Sequence, residues 1–292
     1  MKIKKLTKAE FPSALMQIPE PPENLWIIGN LPKPEEDYVY LSIVGSRKNT
    51  SYGKEVCERI IKGLRGYPIV IVSGFAMGID TLAHKSAMEA GLRTIVFPGS
   101  GLSEDVMYPR VNANLVGKIV ENGGCLLSEF EPDFIATPWS FPQRNRLMAG
   151  MSKATLVIEA TEMSGTMITA RLALEYNRDL LAVPGSIFSK TSTGANKLIR
   201  QGAVPVTSTE NILEALGLDS TLSKQSEKDR QLNLFVNLSE NEKRVIEILH
   251  KPLSRDELLR AIKMNIWDAN TLLSVLEIKE LIKEEMGMMR LT

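Results

Sequence analysis

The chain is poor in the residues from which most site chemistry is built. It has only 2 cysteines, Cys57 and Cys125, and 2 histidines, His84 and His250. The cysteines lie in separate apolar segments, so neither a disulfide framework nor a spaced metal site is supported, and buried thiols in a reducing compartment are expected. Net charge is lacking as well, with 35 Lys plus Arg against 35 Asp plus Glu. An anionic partner must therefore be met by a local patch rather than by the charge of the whole molecule. Long apolar runs are also missing: no stretch reaches the roughly 18 residues of a membrane helix, and no signal-like run comes after the basic start MKIKKLTKAEF. A soluble, cytoplasmic protein with no membrane contact is expected.

What is present is apolar content of 43%, enough for one good core and a small second domain. Residues 1–37 read as an N-terminal arm, held extended by Pro19, Pro21, Pro22, Pro32 and Pro34 and packed on the domain that begins at Tyr38. From Tyr38, short β-branched runs closed by Gly or Ser alternate with segments of helical spacing. The runs at 38–45, 67–74, 93–99, 124–130, 154–160, 179–185 and 202–206 predict strands. Segments 52–64, 79–90, 111–120, 167–176 and 209–216 predict helices. This alternation argues for α/β architecture with a parallel sheet over 38–217. Residues 218–237 are polar and without period, as in a linker.

Over 238–292 the pattern becomes purely helical. Ser239 caps a helix at 240–250, Ser254 caps one at 255–262, a third covers 267–278, and the tail turns at Gly287. Three helices and a hairpin describe a small C-terminal winged-helix domain. Its third helix carries no Lys or Arg, and residues from Ser239 onward count 10 acidic against 9 basic. A major-groove reader needs phosphate-neutralising charge, so a protein-contact or auxiliary role is preferred for this domain.

In a parallel sheet, ligands bind beyond the carboxyl ends of the strands. Six small, polar turns share that edge: GSR at 45–47, SGFAMG at 73–78, PGSG at 98–101, SEF at 128–130, EATEMSGT at 159–166 and PGSI at 184–187. The stretch WSFPQRNR at 139–146 lies between two of the strands and is expected to form a movable rim of the same crevice. There Phe141 can stack on a flat ring while Arg144 and Arg146 pair with phosphates or carboxylates, the division of labour of a single-stranded nucleic-acid site. The plainer alternative is a Pro-broken loop whose aromatics fill the core and whose arginines make salt bridges. Arg47 directly follows the first strand of the alternating region. Arg171, one to two turns into the helix after SGT, can point back to the crevice or pair with Glu175.

The segments VGSR, SGFAMGIDTLAH, PGSG, YP at 108–109, LLSEF, SFPQRNRLMAGMS, SGTMITARLALEYNRDLLAVPGS and TGANKLIRQGA stand in an order and spacing that resembles the DprA family, also called Smf. The resemblance covers residues 38–217. It implies a dimeric protein with a Rossmann-like, doubly wound, mostly parallel sheet and a C-terminal winged-helix domain. It also implies binding of single-stranded DNA in the strand-end crevice, protection of incoming DNA and loading of the RecA recombinase during natural transformation, with no cofactor and no enzymatic step. On this resemblance Gly45, Ser46 and Arg47 form a phosphate-binding turn, Phe141 is the base-stacking aromatic, and Arg144, Asn145 and Arg146 form the basic motif, joined by Arg171.

The rival expectation is an enzyme. Lysine-decarboxylase-like (LOG) nucleotide phosphoribohydrolases carry GGxGTxxE, whereas EMSGTMIT here puts Thr169 at the glutamate position. Asp80, Glu129 and Glu159 remain as acids near the edge that can supply a general base. Asp80 and His84, four residues apart, read as an acid–base pair or as a local hydrogen bond that fixes a turn. A dinucleotide oxidoreductase is disfavoured because GSRKNTSYG is not GxGxxG.

Overall fold

The computed structural model describes residues 1–32, 37–218, 239–249, 253–262, 264–278, 281–285 and 287–291. They belong to two compact units, Met1–Ser223 and Lys224–Thr292. In the first, two strands of the N-terminal segment, β1 (Lys4–Lys5) and β2 (Trp26–Gly29), come before the alternating region. There the β-branched runs become seven short strands: β3 (Val39–Val44), β4 (Ile69–Ser73), β5 (Arg93–Val96), β6 (Cys125–Ser128), β7 (Ala154–Val157), β8 (Asp179–Ala182) and β9 (Val204–Pro205). All seven run parallel. Strands covered on both faces have no polar side, which is why most read as unbroken Val, Ile and Leu. Alternate residues serve two separate cores: Ile69 and Ile71 of β4 face one, Val70 and Val72 the other.

Helices α1 (Ser51–Gly63), α2 (Ile79–Glu89) and α7 (Thr209–Ala215) cover the first face through Cys57, Ile61, Ala83 and Ile212. The second face is covered by α4 (Ser140–Met151), α5 (Thr166–Glu175) and α6 (Thr193–Arg200), through Leu147, Met148, Ala170 and Leu198. A smaller cluster packs α3 (Leu115–Glu121) near the β6 side through Leu115 and Ile119. The strand order, β1-β2-β6-β5-β4-β3-β7-β8-β9, sets the position of the site. The chain works outward from β3 to β6, crosses back along α4, and then works outward the other way from β7 to β9. This is a Rossmann-like, doubly wound sheet whose order reverses between β3 and β7.

Three local expectations are corrected. The proline-rich start is woven into the sheet: β2 pairs antiparallel with β6, and β1 with β2. Leu6, Phe11, Leu15 and Ile18 of this segment are buried in the second core. The stretch at 139–146 is not a loop but the first turns of α4. Pro142 lies in the turn whose N–H groups have no helical acceptor anyway, so proline starts this helix rather than breaking it. The helix expected over 111–120 divides into a 3-10 turn, Arg110–Asn112, and α3. Helix α6 was not anticipated as an element. Cys57 and Cys125 are free and buried, and burial pushes both thiols up to about 12.

The second unit holds α8 (Glu240–Ile248), β10 (Leu253–Ser254), α9 (Arg255–Ile262), α10 (Ile266–Ile278), β11 (Ile282–Glu285) and β12 (Met288–Leu291). Its antiparallel sheet runs β10-β12-β11. Ser239 accepts from the Glu242 N–H, and Ser254 Oγ from the Glu257 N–H at 3.3 Å, so both serines cap as expected. Gly287 turns the hairpin with a φ of 74°, where a side chain is disfavoured. Apart from Leu218, the expected linker lies outside the described residues.

Candidate nucleic-acid interface

An open doubly wound sheet leaves a crevice where its strand order reverses, because the loops after the two central strands leave to opposite faces. Here that crevice is a cleft of about 870 Å³. One wall is the turn after β3, Val44–Gly45–Ser46–Arg47–Lys48, and the facing wall is Thr161, Ser164, Gly165 and Thr166 ahead of α5. Pro138 and, from helix α4, Phe141, Pro142, Arg144, Asn145 and Met148 close it. The turn after β3 is packed backbone against backbone. A Cβ at Gly45 would meet the Ile79 side chain at 2.6 Å, and Gly78, with a φ of 82°, lies against the Ser46 carbonyl. Ser46 Oγ accepts the Lys48 N–H at 3.1 Å, and the Thr166 hydroxyl donates to the Gly45 carbonyl at 3.1 Å, bridging the two walls.

Of the six turns expected on this edge, GSR, SGFAMG through Ala76 and Asp80 just beyond it, and EATEMSGT reach the cleft. Gly99 of PGSG lines a small notch beside it, together with Arg47, Tyr108, Phe141 and Arg144. The SEF and PGSI turns line neither.

Phe141 is half-buried on the cleft wall. Its ring rests on Gly99, where a Cβ would come within 2.5 Å of it, and its centroid is 5.8 Å from that of Tyr108. The exposed Arg47 guanidinium lies 5.3 Å over the same ring, a cation–π contact. Arg144 is 5% exposed, with Nε donating to Asn145 Oδ1 at 3.2 Å and one terminal nitrogen making no hydrogen bond. Burial pulls the Arg144 guanidinium down to about 10, and Arg47 pulls the same way against Asp80. Asp80 faces it across the Gly74 backbone. Burial pushes the Asp80 carboxyl up to about 6, although Arg144, the Ala76 N–H and Arg47 favour its charged form. Two guanidinium groups, one of them with a buried donor that has no acceptor, and a flat ring thus converge on one cleft, a combination suited to a phosphate next to a planar base.

A profile of the family described as DNA recombination-mediator protein A matches residues 2–217. The chain belongs to this family. The DNA processing protein DprA of Bacillus subtilis is 37% identical over 211 residues, covering 72% of this chain and 70% of its own length. DprA of Streptococcus pneumoniae is 40% identical over 203 residues, or 70% of each chain. Protein Smf of Escherichia coli is 39% identical over 206 residues, and this chain covers only 54% of that relative's length. The crystal structure of the Streptococcus pneumoniae DprA superposes with a TM-score of 0.67 at 38% identity, over 73% of this chain and 74% of that one. A Helicobacter pylori DprA structure, described for its single-stranded DNA binding mode, gives 0.65 at 31% identity, over 74% and 95%.

Of the DprA-type residues carried over by resemblance, the structure brings Gly45, Ser46, Arg47, Phe141, Arg144 and Asn145 to the cleft. It does not bring Arg146 or Arg171 there. Arg146 leaves the far side of α4, where it forms a buried ion pair with Glu129 and donates to the Glu20 carbonyl. Arg171 is exposed on α5 and pairs with Glu175 at 3.4 Å, the alternative that i,i+4 spacing offers.

Of the acids of the enzyme reading, Asp80 lines the cleft, whereas Glu159 and Glu129 are engaged elsewhere. Glu159 is buried, accepting the Thr50 N–H at 2.9 Å and the Thr50 and Thr191 hydroxyls at 2.5 and 3.1 Å. Glu129 is held by Arg146. His84 does not bond Asp80: its ring nitrogens meet the Gly74 carbonyl at 2.6 Å and Thr94 Oγ1 at 2.7 Å. A carbonyl only accepts, so Nε2 carries the proton in the neutral ring. Burial holds His84 down to about 4, which keeps the ring neutral. Thr169, noted in the sequence only as standing in place of a glutamate, lines the cleft, and so does Thr191, whose small side chain gave no chemical signal.

Proposed function

We propose that this chain is a single-stranded DNA-binding protein whose ligand lies in the cleft between β3 and β7. The observation that carries the reading is the buried terminal nitrogen of Arg144, which has no protein acceptor and belongs to a side chain lining the cleft. A buried donor left unpaired costs about 1–3 kcal/mol, more when charged, so a phosphate oxygen toward which the Arg144 guanidinium turns removes that cost. Gly45, Ser46 and Arg47 supply further phosphate contacts, and Phe141 supplies the ring on which a base stacks. The Helicobacter pylori relative, described for single-stranded DNA binding, supports the same ligand here.

A binding role is favoured over phosphoribohydrolase chemistry because Thr169 stands where that class needs a glutamate, and because Glu159 and Glu129 are engaged by neighbouring groups. Membership of the family supports a cytoplasmic role in handling incoming DNA during natural transformation or another recombination task, as a homodimer that passes the strand to the RecA recombinase. The C-terminal unit serves as an auxiliary or protein-contact module.

Titration of a labelled oligothymidylate, with duplex DNA and AMP as competitors, tests this reading. Arg47→Ala is expected to weaken binding across sequences and to shallow its salt dependence by about one phosphate contact. Competition by AMP with release of ribose phosphate would overturn it in favour of the enzyme.

A further inference from the structure

Just outside the cleft, at the N-terminal end of α4, Trp139 is 53% exposed. Its setting differs from that of a stray surface aromatic. Phe130 and Phe134 stack on each other with centroids 4.5 Å apart and planes 17° apart. Both stand at nearly the same distance from the indole, 5.7 and 5.6 Å, with planes inclined to it by 78° and 64°. Two parallel rings equidistant from a third, steeply inclined ring present their edges to it, the favoured edge-to-face arrangement. The indole is thus held in a three-ring edge-to-face cluster while about half of its surface, 53%, stays exposed.

The backing is itself fixed. Phe130 is 7% exposed. The Phe134 carbonyl accepts the Gly101 N–H at 2.9 Å, and the Phe134 N–H donates to the Glu131 carbonyl at 2.9 Å. A flat ring held in place before the ligand arrives loses little rotamer freedom on binding.

We propose that Trp139 is a second base-stacking platform, used by a nucleotide of the same strand whose neighbour stacks on Phe141. This rests on the cleft being the single-strand site. Continuity supports it: Pro138 and Phe141 both line the cleft, and Trp139 lies between them as the N-cap residue of α4. The local charge supports a base over a phosphate. Glu131 and Asp133 are exposed on the same short segment as Phe134, so the backbone of the strand is turned away and the indole takes only the base face. A sequence-tolerant contact results, because every base offers a π face.

The test uses the full chain with Trp26→Phe and Trp267→Phe, leaving Trp139 as the only indole, titrated with oligothymidylate. Stacking is expected to quench Trp139 emission in step with binding. Trp139→Ala is expected to lower affinity roughly ten-fold while leaving the salt slope unchanged, and Trp139→Phe to restore most of the loss. Emission from the native indole keeps the test open even if Trp139→Ala loosens its backing rings. Unchanged emission with unchanged Trp139→Ala affinity, while Arg47→Ala still weakens binding, would overturn the platform and leave the cleft reading standing. Equal quenching by duplex DNA would overturn it as well. Absence of any oligothymidylate binding would instead remove the cleft reading itself.

Discussion

Helix α4 has two working sides, and they hold two arginines that differ in almost nothing but their surroundings. Arg144 and Arg146 are two residues apart, which turns them about 200° from each other around a helix, and they are 5% and 8% exposed. On the side facing the N-terminal segment, Arg146 finds a carboxylate and a carbonyl supplied by the protein. On the cleft side, Arg144 keeps a terminal nitrogen without an acceptor. Burial alone therefore does not tell an arginine whose hydrogen bonds are filled from one with a donor to spare. What separates them is whether the fold itself supplies the acceptors.

The largest effect is expected on the filled side. Arg146→Met leaves Glu129 buried without its ion pair and is expected to cost about 3–5 kcal/mol, read as a lower urea midpoint. Oligothymidylate affinity of the folded protein should not change. Equal damage to both would mean that the two sides are not separable.

Next comes the pH response beneath the open side. The Asp80 pKa is raised from 3.8 to about 6, so the native state holds its proton more tightly than the unfolded chain. The stability this gives is full below about pH 4 and is lost as pH rises through about 6, a swing on the order of 3 kcal/mol. His84, lowered from 6.5 to about 4, acts in the opposite sense: the unfolded chain takes up a proton that the native ring refuses, so stability falls as pH drops through that window. The two slopes oppose each other. Asp80→Asn is expected to uncover the His84 slope, giving urea midpoints that fall with acidification where the parent stays nearly flat.

Arg144→Ala should invert the Arg146 result. Affinity for oligothymidylate is expected to drop by about 1.5–3 kcal/mol, the value of a charge-assisted hydrogen bond, with a smaller shift in urea midpoint than Arg146→Met. Arg171→Ala supplies the baseline. Its exposed pair with Glu175 is worth at most about 0.5 kcal/mol, and neither midpoint nor affinity should move beyond that.

The parallel strands are legible in the sequence because strands buried on both faces are mostly apolar, and most of them end within a few residues of a Gly or Ser that begins the next turn. The cleft edge comes from those ends. The opposite fates of Arg144 and Arg146 are not legible, because the acceptors of Arg146 come from Glu20 and Glu129, brought together only by the folded N-terminal segment. That segment is itself hard to read: WIIG is too short, among so many prolines, to signal that β2 extends the sheet. Helix α4 escapes detection because Pro142 reads as a breaker, although a proline in the first turn marks a beginning. Asp80 and His84 are buried, but the mutual bond that four residues imply is replaced by bonds of His84 to Gly74 and Thr94, and Asp80 reaches the cleft instead.

Glu159 has a mechanical consequence. Its carboxylate grips the Thr50 amide and hydroxyl together with the Thr191 hydroxyl, just past the end of a central strand. These bonds tie the segment that follows Arg47 to the end of β7 and to the turn just ahead of α6, across the middle of the sheet rather than at its outer edge. Arg47 thus hangs from a stiff mount, three residues from an amide and a hydroxyl that are both fixed to the sheet.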